Sequence, residues 1–353
     1  MYKFVRFLQM ICFAACLSLV VIAIPSVSAA TFTVDTLAEG ADGECVTDTT
    51  LREAIACSNA NGVSDTIVFS VSGTITLTSN LNNIGDANGV DIDGNGNITI
   101  DAVATYDVSM NGGAVNTTIR GITFKSVVYL DGTNITFGGP DITDRNIVIV
   151  GSMDVRVAGT SVIRNNYIGV QADGVTKNGG GILLADLTGS LTIQDNLITG
   201  GGGCGISNYM NNAADITIIG NILGLTADGA TRLDDYIGIC DRDDQTYSGA
   251  LVIGGDEAGE RNTISGFYGN GVSIDGTYTG GVQIQGNYIG IKSDGFVAVK
   301  NNNYGISNSS SCSGGAGCLI GGSVAGMKNV ISGNQQAGIY ITDGASGWTV
   351  QNN

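Results

Sequence analysis

The residues best suited to chemistry are acidic and close together: Asp234, Asp235, Asp241, Arg242, Asp243 and Asp244, with Arg232 nearby. Two carboxyls about 5 Å apart serve a retaining glycosidase, and about 6.5–9.5 Å apart an inverting one, so this stretch is the first candidate for cleaving a sugar chain. A calcium-assisted lyase is the other carboxylate chemistry, in which Ca2+ acidifies a sugar C5 proton and an arginine or lysine removes it. Arg120, Arg145 and Arg164 each adjoin an expected strand and are candidate bases, although nothing in the sequence pairs them with acidic ligands. Asp91, Asp93 and Asn95, followed by Gly96 and Asn97, imitate the start of an EF-hand loop and make Ca2+ the possible cofactor. The twelfth position is Ala102, where that loop needs a bidentate glutamate. Plainer readings stand beside both: charge runs face water, and Asp-Asn-Gly stretches make turns. Histidine is absent, which excludes Ser-His-Asp triads, histidine bases and zinc hydrolase motifs.

Tyrosines supply a non-catalytic alternative. Tyr236, Tyr247, Tyr268, Tyr278, Tyr288 and Tyr304 gather in the C-terminal half, and exposed tyrosine rings can lie under sugar rings. Strand tyrosines equally pack into a core.

What must position these residues is a repeat. Gly286-Asn287-Tyr288-Ile289-Gly290 with Asp294-Gly295 repeats Gly220-Asn221-Ile222-Leu223-Gly224 with Asp228-Gly229 at an offset of 66. A third copy, Asn166 to Gly169 with Asp173-Gly174, lies 55 earlier. Asn262-Thr263-Ile264-Ser265-Gly266 returns as Asn329 to Gly333 at an offset of 67, and glycines 205, 238, 271, 305 and 338 recur in steps of 33 or 34. Fixed internal periods of this kind mean a solenoid. Apolar residues alternate over short runs such as Ile216-Thr217-Ile218 and Val282-Gln283-Ile284, the period of strands. The expectation is an all-β, right-handed parallel β-helix with about three coils of roughly 22 residues per unit. Asn166, Asn196, Asn221, Asn262, Asn287 and Asn329 then read as an internal amide ladder at the turns.

Composition agrees. Fifty-five glycines with two prolines sit beside 43% hydrophobic residues, more than a disordered chain carries. Lys3 and Arg6 precede an apolar run from Phe7 to Ile24 that ends in small residues at 26–30, the pattern of a secretory signal cleaved after Ala29 or Ala30. A membrane anchor, or a lipidation box at Ala14-Ala15-Cys16, is the weaker reading of the same run. Cleavage leaves 13 basic and 32 acidic residues, a formal charge of −19. Nucleic acid is therefore no partner, and polyanions are repelled unless a divalent cation bridges them. No other stretch is long enough to span a membrane. The six remaining cysteines suit an exported compartment. Their spacing suggests Cys45 with Cys57, Cys204 with Cys240, and Cys312 with Cys318, among 15 connectivities and against the alternative of buried thiols.

Residues 30–101 read as a cap for the first coil, because an open solenoid end exposes apolar surface and strand edges. Thr50-Leu51-Arg52-Glu53 is a capping box, Leu51, Ala54 and Ile55 give a short apolar helical face, and Asn61-Gly62 stops it. The segments Thr31 to Asp35, Leu51-Arg52-Glu53-Ala54-Ile55 and Asp65-Thr66-Ile67 resemble the CSLREA-type N-terminal domain of bacterial secreted β-helix proteins. The family's cysteine before its Ser-Leu-Arg-Glu-Ala is Thr49 here, which implies that Cys57 replaces it as partner of Cys45. The resemblance implies a pectin-lyase-like fold and a secreted or cell-surface setting, with the periplasm as an alternative. The pectate lyase Arg-x-Pro-x-x-Arg signature is missing.

The organisation expected is a signal over 1–29, a cap over 30–101 and coils over 102–353, with Gln351-Asn352-Asn353 stopping inside a motif as if the repeat continued. The functional expectation is an adhesin-like surface β-helix that presents a rigid face to a polysaccharide or cell-surface glycan. A polysaccharide lyase or glycosidase, and a purely structural spacer, are the alternatives.

Overall fold

In the computed structural model the described residues are 28–353, except 41–42, 103–105, 111–112, 211, 234, 243, 314–316 and 343. Residues 1–27 of the expected signal segment lie outside them, as do Asp234 and Asp243. Strand after strand pairs in parallel with the strand one coil on, which makes the chain a parallel β-helix. Each full coil contributes a strand to one ladder of a 20-stranded sheet, a second short strand to a neighbouring ladder of that sheet, and a third to a ten-stranded sheet opposite. Inward positions stack as like on like: Ile193, Ile218, Ile253, Ile284 and Ile320 follow one another in register and are all buried. Each buried aliphatic side chain contributes on the order of 1.5–3 kcal/mol, repeated once per coil.

Coil length differs from expectation. Ile218, Ile253 and Ile284 are consecutive in register, so the 66 residues between the first and last make two coils, of 35 and 31 residues, and not three. The reason is that each coil carries excursions beyond its short strands. Hairpins with antiparallel bridges Val170 to Lys177, Leu225 to Arg232 and Ile291 to Ala298 leave the second ladder. Their tips are closed by Asp173 and Asp294, whose Oδ1 atoms accept from the backbone two and three residues on, and by Asp228, whose Oδ1 accepts from Ala230 N. Successive hairpins touch, Ala227 N donating to Gly174 O at 2.9 Å and Ser293 N to Gly229 O at 3.2 Å. Strands in a sheet lie ~4.8 Å apart, but a packed layer is ~10 Å thick, so one hairpin fits per two coils. That ratio sets the period of the sequence repeat.

Asparagines form the spine. In each of Asn166, Asn196, Asn221, Asn262 and Asn287, the side-chain amide donates to the Oδ1 of the asparagine one coil on, at 2.9–3.0 Å. The same amides donate to backbone carbonyls such as Phe137, Ile163 and Ile193. Asn146 and Asn353 extend the row at its two ends.

The helix Leu51–Asn61 starts at the expected box, with Glu53 N donating to Thr50 Oγ1 and Thr50 N to Glu53 Oε2, and ends at Gly62 with φ 75°. Leu51 and Ile55 meet Leu81, Ile92 and Ile100, closing the apolar end of the first coils. Ser58 is buried on the same face, its hydroxyl donating to Asp86 Oδ2 at 3.0 Å. Cys45 is bonded to Cys57, Cys204 to Cys240 across adjacent coils, and Cys312 to Cys318. No described helix is long and apolar enough to cross a membrane.

Candidate functional site

The described acids of this stretch do not converge on one surface. Asp235 is fully buried and ion-paired with Lys177 of the first hairpin. Asp241 ends the strand Ile237–Asp241, and its side chain points inward with Ile239. There it meets Leu184, Ile206 and Tyr278, and its Oδ1 accepts from the backbone of Asp275 at 2.6 Å and Gly276 at 3.3 Å. Burial pushes this carboxyl up to about 7, against hydrogen bonds that pull it down. Asp244 lies outside, where hydrogen bonds from Gln245 and then Arg242 hold its carboxyl below the usual range. The alternation of a strand sends Asp241 to the core and Arg242 to solvent, so the described acids form no acid–base pair across a shared cleft.

The Asp91 region also departs from expectation. Arg120 sits among Asp91, Asp93 and Asp144 at 3.0, 2.8 and 2.8 Å. The sequence left this arginine without acidic partners, but coil stacking brings it three. Its guanidinium stands where Ca2+ was expected, and Asn95, at φ 49°, serves the turn by donating its backbone N–H to Asp93. Among the described residues no three metal-binding side chains are grouped to hold an ion. Arg145 lies over the Tyr167 ring at 4.1 Å, and Arg164 makes no ion pair among the described residues.

Three of the tyrosines are not available to a ligand. Tyr247 and Tyr278 are buried and stacked at 4.8 Å inside the coil, Tyr247 donating to Asn208 O and Tyr278 accepting from Asn208 Nδ2. Tyr288 packs under Arg261, 4.3 Å from its centroid, and against Gly295, where any side chain would collide with the ring. Its hydroxyl also accepts from Arg261 at 2.9 Å.

Tyr236 and Tyr268 are different, at 55% and 54% exposed. They lie one coil apart on the edge between the second ladder and the ten-stranded sheet, joined by Tyr268 N to Asp235 O and Gly269 N to Tyr236 O. The edge continues with Asn303 N donating to Gly269 O and Gln336 N to Asn303 O, so Asn302, Asn303, Gln335 and Gln336 follow the two rings at coil spacing. Arg232 covers one face of Tyr268 at 4.4 Å, and Tyr304 stacks on the partly exposed Tyr340 at 4.4 Å. Tyr340 and the amides were missed in the sequence. The amides sit 33 or 34 residues from their neighbours one coil away, so taking the glycine step as the coil length would have found them, whereas Tyr340 is in register with Ser307 and only its side-chain stacking joins it to Tyr304.

These features define a parallel β-helix with an exposed aromatic and amide edge. A family model described as a protein of unknown function, DUF1565, matches residues 114–250, which cover the middle coils and stop before Leu251. No curated protein and no solved structure matches the chain.

Proposed function

We propose that this is an exported surface β-helix that binds a neutral glycan along the edge carrying Tyr236 and Tyr268. The carrying observation is the coil-spaced row of two half-exposed rings followed by four amide side chains. Rings stack on the apolar face of a sugar, and amides exchange hydrogen bonds with its hydroxyls. The strongly acidic chain disfavours polyanionic chains, leaving neutral ones. The cysteine pairs and the CSLREA-like cap support an oxidising, cell-exterior setting within a pectin-lyase-like superfamily.

A glycan array probed with the whole protein tests this. Binding to neutral oligosaccharides is expected, weakened roughly tenfold by each of Tyr236→Ala and Tyr268→Ala, the usual scale for an aromatic anchor. No bound glycan, or release of reducing ends or unsaturated products from the array glycans, overturns the reading.

A further inference from the structure

One coil before Tyr236 the same edge drops into a groove. Its volume is about 250 Å3 and it is lined by Ser152, Gly181, Leu183, Gly203, Ser207 and Tyr209. Gly203 O accepts from Ile237 N at 3.3 Å, so the groove is continuous with the tyrosine row. The depression has a sequence cause. The coils at Gly179–Gly181 and Gly200–Gly203 carry glycine where later coils carry Tyr236, Tyr268, Asn302 and Gln335. A Cβ at Gly181 would lie 2.5 Å from Cys204 O and 2.6 Å from Gly205 O, so that part of the floor is backbone packed on backbone, whereas nothing lies within 4 Å of a Cβ at Gly203.

The wall is pre-set. Arg242 covers the Tyr209 ring at 4.6 Å and is itself gripped by Asp244 through two bonds of 3.0 and 3.2 Å. Two residues that the sequence offered for catalysis thus hold an aromatic side chain in place. The lining itself carries no charged side chain, only hydroxyls on Ser152, Ser207 and Tyr209 beside apolar Leu183, and the Arg242 and Asp244 charges beside it form one pair. A mixed hydroxyl and apolar lining with no charged side chain fits a pyranose ring, and the volume lies below that of sites for drug-sized ligands.

We propose that this groove seats one neutral sugar ring, at the end of a glycan whose following residues run over Tyr236 and Tyr268. The assignment rests on the glycan reading above. Arg242 is a positioning residue that acts through Tyr209.

The test uses calorimetric titration of the whole protein with neutral methyl glycosides of glucose, galactose and mannose, and with their linear tetrasaccharides. Saturable binding of one monosaccharide is expected. Gly203→Trp, which fills open space at an ordinary backbone conformation, should abolish it and weaken the tetrasaccharide about tenfold, with thermal melting unchanged. Tyr236→Ala with Tyr268→Ala should leave the monosaccharide affinity intact and lose only the tetrasaccharide's added affinity. Arg242→Gln should weaken monosaccharide binding and Arg242→Lys restore it. Monosaccharide binding that survives Gly203→Trp overturns the groove and spares the edge. Tetrasaccharide binding with no monosaccharide binding and no effect of Gly203→Trp does the same. No binding of either ligand overturns both.

Discussion

Asn221→Ala is expected to cost about 4 kcal/mol of stability, although the residue touches neither the groove nor the exposed edge. Asn221 Nδ2 donates to Ile193 O, Ile219 O and Asn262 Oδ1 at 2.8–3.0 Å, and its Oδ1 accepts from the backbone and side-chain nitrogens of Asn196. The three asparagines Asn196, Asn221 and Asn262 are buried. Truncation orphans the Asn196 N–H and at least one carbonyl in the interior, each costing about 1–3 kcal/mol, and opens a cavity besides. In a solenoid the loss falls on the interface between neighbouring coils, which is where stability resides. Asn221→Asp should do no better, since a carboxylate cannot donate and is costly to bury. Asn302→Ala on the exposed edge should stay within about 0.5 kcal/mol. Denaturant unfolding of the three variants decides the matter, and a cost under about 1 kcal/mol for Asn221→Ala would mean that the ladder is not the spine.

The second large effect is a stability that falls as pH rises. The Asp241 carboxyl is pushed up to about 7 in the folded chain against an ordinary 3.8. The folded state therefore holds this proton more tightly than the unfolded state. Between about pH 4 and 7 the folded form binds it while the unfolded form does not, so this group's contribution is complete below that window and lost through it. Three pH units of difference correspond to about 4 kcal/mol. Asp241→Asn keeps an oxygen for the Asp275 and Gly276 N–H groups and removes the charge. The variant should match the parent at pH 4 and exceed it by a few kcal/mol at pH 8, read from urea midpoints at the two values. Equal midpoints at pH 8 would show that the carboxylate is solvated. Because the side chain faces the core, glycan binding should not change.

The fold was legible because its signals are local. Alternating apolar residues in Ile216-Thr217-Ile218, asparagines before each short strand and the box at Thr50 to Glu53 act through neighbours in the chain or through one stacked copy of themselves. Coil length was misjudged because a hairpin such as Val170 to Lys177 also reads as short alternating strand with an Asp-Gly turn. Only packing shows that it stands outside the coil.

The candidate site was less legible, for a geometric reason. Whether Asp241 or Arg242 faces solvent depends on strand register, and a one-residue difference exchanges core for surface. Tyr278 and Tyr268 both sit between nearby glycines in the sequence, yet one fills the coil and the other stands on its edge. Arg120 meets Asp91 and Asp144 across 29 and 24 residues only because coils stack. Residue type and spacing along the chain were enough to dictate a β-helix with an asparagine spine and a capped first coil, since each coil repeats the same inward pattern. The exposed edge arises between coils, from the register that aligns Gly203, Tyr236, Tyr268, Asn302 and Gln335, and that register is settled by side-chain packing and hairpin thickness over distances that no local pattern encodes.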